Sequence, residues 1–359
     1  MAASPSPAPA QLRRILVIQT AFLGDIVLAT AFLANLRALQ PSAEIRFLTT
    51  PAGARLLSPN TFGVKVISYD KRGNDSGPGG FLRMARELRG FAPELVFCLH
   101  RSLRSTLLAK VSGGEVWGFS EGVGSVLFTG RVARAKGRFE AEKNQALLAA
   151  WAGERALQQA LFPILSVSDK DTAEGDTLLG GLQGFVALAP GSVWATKRWP
   201  PERFAGLAQL LWERHGLRSV IVGGNEPADR EAAMKLLVAY REGAEKVAPL
   251  PLDLTGKTGL GGLKSVLSRA KLVVANDSAP LHMGIAMGVS VLGVFGPTTR
   301  ELGFFPLAPE GKAKVAELAG LECRPCGLHG HDQCPRTHFR CMLDLSPEAV
   351  YREAELLCR

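Results

Sequence analysis

Tyrosine is scarce in this chain, with three residues among 359. Aromatics as a group reach only 7%, without the RNP-type aromatic signature of an RNA-binding sheet, which argues against nucleic acid as a partner. A membrane-spanning run is missing too. The longest apolar candidate, residues 15–36, carries Gly24 and Asp25 near its centre, and a charge at that depth costs about 2.5–3.5 kcal/mol. The Ala/Pro/Ser-rich start lacks the basic and apolar regions of a secretory signal. Residues 1–12 are therefore expected to be a disordered leader, and the protein is expected to be cytoplasmic. No short-period internal repeat is visible.

Cysteine is nearly absent until the end: five of six fall in the last 37 residues. Cys323-x-x-Cys326 followed by Cys334 and Cys341 has the look of a zinc knot, with His329, His331 and His338 interspersed. The second pair is spaced too widely for a standard ribbon. Reduced structural thiols and no metal are the expectation for a cytosolic chain.

The composition is otherwise that of a globular protein, 47% hydrophobic and 21% charged, and the length suits two α/β domains. Charge is unevenly placed. Of 42 Lys+Arg and 33 Asp+Glu, residues 1–165 hold 20 and 11, so the rest of the chain balances. A basic first half points to a polyanionic partner such as an anionic lipid or a phosphorylated glycan.

Short apolar runs alternate with helix patterns, which predicts mostly parallel, doubly wound sheets. In the first half, strands are expected at 15–19, 44–49, 64–68 and 95–99, with helices at 25–40, 51–58 and 81–91. Residues 73–80 read as a Gly-rich loop. The polar stretch 166–184 reads as a linker between a first domain, 13–165, and a second, 185–343. Strands at 185–189, 219–222, 252–254, 271–275 and 291–295 alternate with helices at 201–215, 227–240 and 261–269. Residues 344–359 hold a last amphipathic helix starting at Ser346.

In open α/β sheets ligands bind beyond the carboxyl ends of the strands. Four loops of the second half carry polar groups there. Residues 190–200 offer Gly191 for close backbone approach, Ser192 and Thr196 as donors, and Lys197 to neutralise a phosphate. Gly223-Gly224-Asn225-Glu226 places a carboxylate where ribose hydroxyls could donate. Thr255-Gly256-Lys257-Thr258 is half of a phosphate loop without the glycines of a Walker motif, so an ATPase is excluded. Asn276-Asp277-Ser278-Ala279-Pro280 breaks an apolar strand and opens a helix, with His282 one turn on; free N–H groups there suit a phosphate.

In the first half the matching turn is Gly24-Asp25. Asp25 is either an ordinary N-terminal helix acid or a general base for an acceptor hydroxyl. A helix start lowers a carboxylate's pKa and desolvation raises it, so the two readings pull apart. Arg101 and Arg104 follow the 95–99 strand and, three residues apart, could clamp an acidic group from one helix face. The run Arg131, Arg134, Lys136, Arg138 reads as solvated surface.

Together these motifs resemble glycosyltransferase family nine, the heptosyltransferases of the lipopolysaccharide inner core, with the heptosyltransferase II branch nearest. The residues that carry the resemblance are Leu23-Gly24-Asp25, Lys197-Arg198-Trp199-Pro200, Leu254-Thr255-Gly256-Lys257-Thr258, Asn276 to His282, Phe295-Gly296-Pro297-Thr298 and the cysteine tail. The resemblance implies a GT-B fold, two Rossmann-like domains facing a central cleft. It implies an inverting, metal-independent transfer of heptose from ADP-heptose to a phosphorylated lipid A–Kdo acceptor, without a cofactor, at the inner face of the inner membrane. Asp25 then matches the base. Ser192, Lys197, Ser278 and Ala279 match the diphosphate cradle, Glu226 the ribose, and Asp277 and His282 the donor sugar and its phosphate. The residues themselves add Gly191 and Thr196 as donor-binding candidates and Arg101 and Arg104 as acceptor-binding ones. Ala279-Pro280 and Gln19-Thr20-Ala21 depart from the usual residues. Asp169-Lys170-Asp171 spells the acidic metal motif of another transferase class but falls in the expected linker. The alternatives are a GT-B enzyme for a different nucleotide sugar or glycan, or a non-catalytic nucleotide or glycan-binding module.

Overall fold

The computed structural model describes residues 10–58, 62–153, 161–243 and 248–358. The chain divides into two compact units, residues 1–166 and 167–359. In the first, strands β1 (Arg14–Gln19), β2 (Glu44–Thr49), β3 (Lys65–Ser68), β4 (Leu95–Cys98), β5 (Glu115–Phe119) and β6 (Gly130–Val132) form one parallel sheet. Helices α1 (Leu23–Leu39), α2 (Pro51–Leu56), α3 (Gly77–Phe91), α4 (Leu103–Ser112) and α5 (Glu140–Ala152) connect and cover it.

The second unit holds α6 (Asp169–Leu179), β7 (Phe185–Ala189), α7 (Pro201–His215), β8 (Arg218–Ile221), α8 (Pro227–Gly243) and β9 (Leu252–Asp253). It continues with α9 (Leu260–Ser268), β10 (Leu272–Asn276), α10 (Ala279–Ala286), β11 (Ser290–Phe295), β12 (Ala313–Glu317), α11 (Arg340–Leu343) and α12 (Pro347–Glu355).

Both sheets have the same topology. The first runs β3-β2-β1-β4-β5-β6 and the second, read from its far edge, β9-β8-β7-β10-β11-β12. This is the strand order of a dinucleotide-binding fold, with connections diverging between the first and fourth strands of each sheet. Loops that leave β1 and β4, or β7 and β10, part there and open a crevice at the carboxyl edge.

Burial on both faces accounts for the near-continuous apolar strands. Alternate residues of β1 serve opposite layers: Leu16 and Ile18 pack with Met84, Leu88 and Leu108 under α3 and α4. On β4, Phe97 meets Phe32 of α1 edge to face at 5.0 Å and Trp151 of α5 at 5.8 Å. In the second unit Val186, Leu188, Val274 and Leu292 pack with Trp199 and Phe204.

Three expectations need correction. Residues 166–184 are not a free linker: α6 lies within them and packs on α9 of the second unit. Asp171 accepts from the Ser168 N–H at 3.1 Å in a capping box, and its carboxylate lies 3.1 Å from the fully buried Lys264 Nζ. That acid is a structural anchor, which agrees with setting the Asp169–Asp171 motif aside. Residues 77–80, expected as loop, begin α3, since Pro78 at the first turn tolerates the missing N–H. The leader expected over 1–12 lies outside the described residues as far as residue 9; from residue 10 the chain is tied down, with Gln40 Nε2 donating to Ala10 O and the Leu12 N–H to Gln40 Oε1.

Lys264→Ala removes the countercharge of Asp171 and is expected to cost about 3–5 kcal/mol. Urea unfolding of the variant checks this; a loss under 1 kcal/mol, on the order of an exposed pair, contradicts an anchoring role.

Candidate functional site

In the second unit two strand ends are joined by one amide. Asn276, wholly buried at the end of β10, donates through Nδ2 to Pro190 O at 2.7 Å and accepts from the Trp199 N–H at 3.1 Å. The loop after β7 is thereby bound to β10 at both its ends. The next residue, Asp277, accepts from Lys197 Nζ at 2.5 Å and from Thr298 Oγ1 at 2.8 Å, all buried. His282, one turn into α10, is buried beside them. Burial, aided by the Lys197 charge and opposed by Asp277, depresses its pKa to about 4. Its imidazole is thus neutral, and Nδ1 has no hydrogen-bond partner in the protein.

Beyond this cluster opens a cavity of 550 Å³ whose lining includes Gly191, Ser192, Glu226, Ser278 and Ala279. Five of the expected donor residues therefore share one pocket, with Lys197, Asp277 and His282 behind it. Asp229 of α8 also lines it and was missed in the sequence. Its carboxylate fills the space beside Gly191 and Gly224: a Cβ on either would come within 2.2 and 2.7 Å of its oxygens. Burial raises the Asp229 pKa. The glycines of both loops are required by this carboxylate as much as by any ligand. The Thr255–Thr258 turn braces the loop after β8, with the Gly256 N–H donating to Gly223 O at 3.1 Å and Lys257 Nζ folded back onto Asp253 O at 2.7 Å.

Thr196 does not join the pocket. Its hydroxyl donates to His331 O at 2.9 Å and accepts from the His331 N–H at 2.8 Å, so it is consumed in holding the cysteine-rich tail. In that tail Cys323, Cys326, Cys334 and Cys341 are free thiols. His331 Nε2 lies 2.7 Å from Cys326 O and His338 Nε2 lies 3.8 Å from Cys323 Sγ. Among the described residues no three His, Cys, Asp or Glu side chains are grouped to hold a metal.

In the first unit Asp25 stands in the first turn of α1. Burial and the nearby Glu140 charge raise its pKa to about 7, outweighing the Phe22 backbone hydrogen bond and Arg134, which lower it. The helix start loses to desolvation. Around it lies a charge network: Arg134 pairs with Glu140, which also sits 3.6 Å from Lys143 Nζ, all three with side chains largely buried. Arg101 is held in the field of Arg134, Glu140 and Asp25.

Two expectations change here. Arg134 is no solvated surface charge. Arg101 and Arg104 do not share a helix face, because Ser102 caps α4 and leaves Arg101 before the helix. Arg104 turns the other way, donating to Tyr69 Oη at 2.5 Å and to Asp75 O at 2.8 Å. It braces the loop after β3.

Beside this brace a second cavity, 420 Å³, opens at the carboxyl edge of the first sheet. Thr20, Phe22, Arg55, Lys71, Arg72 and His100 line it. Arg55, Lys71 and Arg72 were missed; Lys71 and Arg72 lie in the loop after β3 and would have been found by reading it like those of the second half, whereas Arg55 lies within α2. Lys71 Nζ donates to Thr20 O at 2.6 Å, and His100 Nδ1 sits 2.9 Å from both Thr20 Oγ1 and Ser105 Oγ. Burial, with Lys71 and Arg101, lowers the His100 pKa to about 4.

Folding lowers the pKa of His100 and His282 below 6.5, so protonation favours the unfolded chain. Their stabilising contribution is complete above pH 6.5 and is lost as pH falls through about 4. In an NMR titration neither imidazole is expected to shift between pH 8 and about 5; a midpoint near 6.5 for His282 contradicts the buried neutral form.

The family model described as glycosyltransferase family 9 (heptosyltransferase) matches residues 81–330. Lipooligosaccharide heptosyltransferase 2 of Campylobacter jejuni is 28% identical over 222 residues, 61% of this chain and 65% of that protein, so the match spans slightly under two thirds of the relative's length. A glycosyl transferase family 9 structure from Veillonella parvula superposes with a TM-score of 0.83 at 24% identity, covering 97% and 98% of the two chains. The structure of Escherichia coli ADP-heptose lps heptosyltransferase II gives 0.76 at 23% identity, covering 96% and 98%. These two show the fold, the GT-B arrangement of paired Rossmann-like sheets. With most of its length under the family model, and the family's fold in both units, the chain belongs to glycosyltransferase family 9.

Proposed function

We propose that the protein is an inverting heptosyltransferase that moves heptose from ADP-heptose to the inner core of lipopolysaccharide. One observation carries the reading: a carboxyl at the edge of the first sheet whose pKa is raised to about 7. A general base works best with a pKa near the working pH, where it is both ionised and basic.

The second unit is the donor unit. Its pocket has the volume of a nucleotide site. Glu226 accepts from the ribose hydroxyls, and Ser192 with the N–H groups at the start of α10 holds the diphosphate. Lys197, positioned by Asp277, offsets the charge that develops on the leaving ADP. His282, neutral and with Nδ1 unpartnered, offers a hydrogen bond to the donor sugar or its phosphate. A lysine and a helix start supply the positive charge, so transfer is metal-independent in this reading. The relative named for ADP-heptose supports the choice of donor.

The first unit is the acceptor unit. Arg55, Lys71 and Arg72 suit the phosphate or carboxylate groups of a lipid A–Kdo acceptor, and Arg101 shares the charge network around the base. Asp25 removes the acceptor hydroxyl proton as the oxygen attacks the anomeric carbon opposite the ADP, which inverts it. Such an enzyme works in the cytoplasm, peripherally at the inner face of the inner membrane; no described helix is long and apolar enough to cross it.

Asp25→Asn is expected to lower transfer by about 10²–10⁴-fold with ADP affinity unchanged, and retained turnover rules the base out. In the native enzyme kcat/KM should rise with pH to a plateau above about 7. Because folding raises the Asp25 pKa, its stabilising effect is full below 3.8 and lost as pH rises to about 7; the Asn variant should therefore melt higher than native protein at pH 8. Glu226→Ala is expected to weaken ADP binding by roughly 10–100-fold in calorimetry, and unchanged affinity removes its ribose role.

A further inference from the structure

Five large apolar side chains of the first unit gather outside its core. Leu103 and Leu107, one turn apart on α4, are 49% and 36% exposed. Val123, Val126 and Leu127, on the loop after β5, are 59%, 79% and 38% exposed. The two segments are fastened together. Thr106 Oγ1 donates to Val123 O at 2.8 Å, and the Val123 N–H donates to Arg101 O at 3.1 Å. Leu103 reaches Gly124, where an added Cβ would lie 3.3 Å from its Cδ1. Phe128 is buried and anchors the loop from below. Valine and leucine are thus held outward on a rigid frame at two adjoining segments.

The rim of this patch is basic. Lys110 is exposed one turn beyond Leu107, and Arg131 is exposed on β6 just past Leu127. Helix α3, packed beside α4, exposes Arg86 and Arg89 together with Leu82. The acids close by are Glu87 on α3, Glu115 on β5 and Glu121 on the loop, the last accepting from the Arg134 N–H at 3.0 Å. An apolar centre with a cationic rim is the pattern of a surface that sits in the headgroup layer of an anionic bilayer. A second copy of the chain fits worse, since a two-fold contact would bring two basic rims together.

We propose that this face of the first unit, centred on Leu107 and Val126, docks the protein on an anionic lipid surface. The loop leaves β5 at the carboxyl edge, where the cavity of Phe22, Lys71 and Arg72 opens. It runs back beside α4 to the start of β6, where the Thr129 N–H donates to Val116 O at 2.8 Å, so the Val123 end of the patch lies toward the cavity. A lipid-borne acceptor then presents its head group at the edge where the cavity opens. This last point rests on the acceptor assignment above; the docking itself does not.

Co-sedimentation with vesicles of phosphatidylglycerol and phosphatidylcholine, against phosphatidylcholine alone, tests it. The native protein is expected to pellet with the anionic vesicles and to be released by salt. The double variant Leu107→Glu, Val126→Glu alters exposed positions only, so it should keep its melting temperature while vesicle affinity falls tenfold or more. Lys110→Glu with Arg131→Glu should erase the preference for anionic lipid. Absence of vesicle binding by the native protein, or undiminished binding by the double variant, overturns the proposal; so does a dimer that the double variant dissociates without change in vesicle binding. Transfer to a deacylated, water-soluble acceptor separates the two readings. Transfer without vesicle binding defeats the docking surface alone, and vesicle binding without transfer from ADP-heptose defeats the heptosyl assignment alone.

Discussion

The buried contact of Lys197 with Asp277 organises the carboxyl edge of the second unit. Two charges of opposite sign are taken out of water together, and neither could be left there alone. Their pairing fixes the loop after β7 to the end of β10, across the point where the strand connections diverge. Asn276 does the same with neutral hydrogen bonds one residue earlier. The walls of the pocket at Gly191, Ser192 and Ser278 are held by these contacts, and His282 stays neutral because it is buried, with Lys197 opposing its protonation and Asp277 favouring it.

The first unit solves a different electrostatic problem. A carboxylate at a helix start is ordinarily a weak base, because the helix dipole and free N–H groups favour its charge. At Asp25 burial and Glu140 reverse that preference. Arg134 and Lys143 neutralise Glu140 in turn, so the region carries a net charge the fold can tolerate while the Asp25 carboxyl keeps its raised pKa of about 7. The opposing effects were both foreseeable; which one wins depends on how deeply the carboxyl sits.

Much of the fold could be read from residues. The apolar runs of β1, β4, β7 and β10 marked a doubly wound architecture, and strand ends led to Asp25, Glu226 and Asp277, which the structure sets just beyond β1, β8 and β10. The edge strand β9 was foreseen at 252–254, whereas β5, β6 and β12 were not: β6 is Gly130-Arg131-Val132, with one apolar side chain, and β12 interleaves Lys314 with small residues. Side-chain direction was less legible. Thr196 and Lys197 are neighbours with the same promise in sequence, yet one turns to His331 and the other to Asp277. Arg101 and Arg104 part in the same way, because a serine cap between them ends the shared periodicity. Arg134 looked like one charge in a solvated run until Glu140, six residues on, was seen folding back to it.

The tail contributes more than its sparse regular structure suggests. Arg324 donates to Thr298 O at 2.9 Å, to Leu318 O at 2.8 Å and to Glu317 at 2.7 Å, while Thr298 itself steadies Asp277. His331 completes the loop of Thr196 from further downstream still. During synthesis domains fold as units from the N-terminal side. The first unit can therefore close its sheet on the ribosome early, whereas the pocket of the second unit is complete only once translation has passed the cysteine-rich segment.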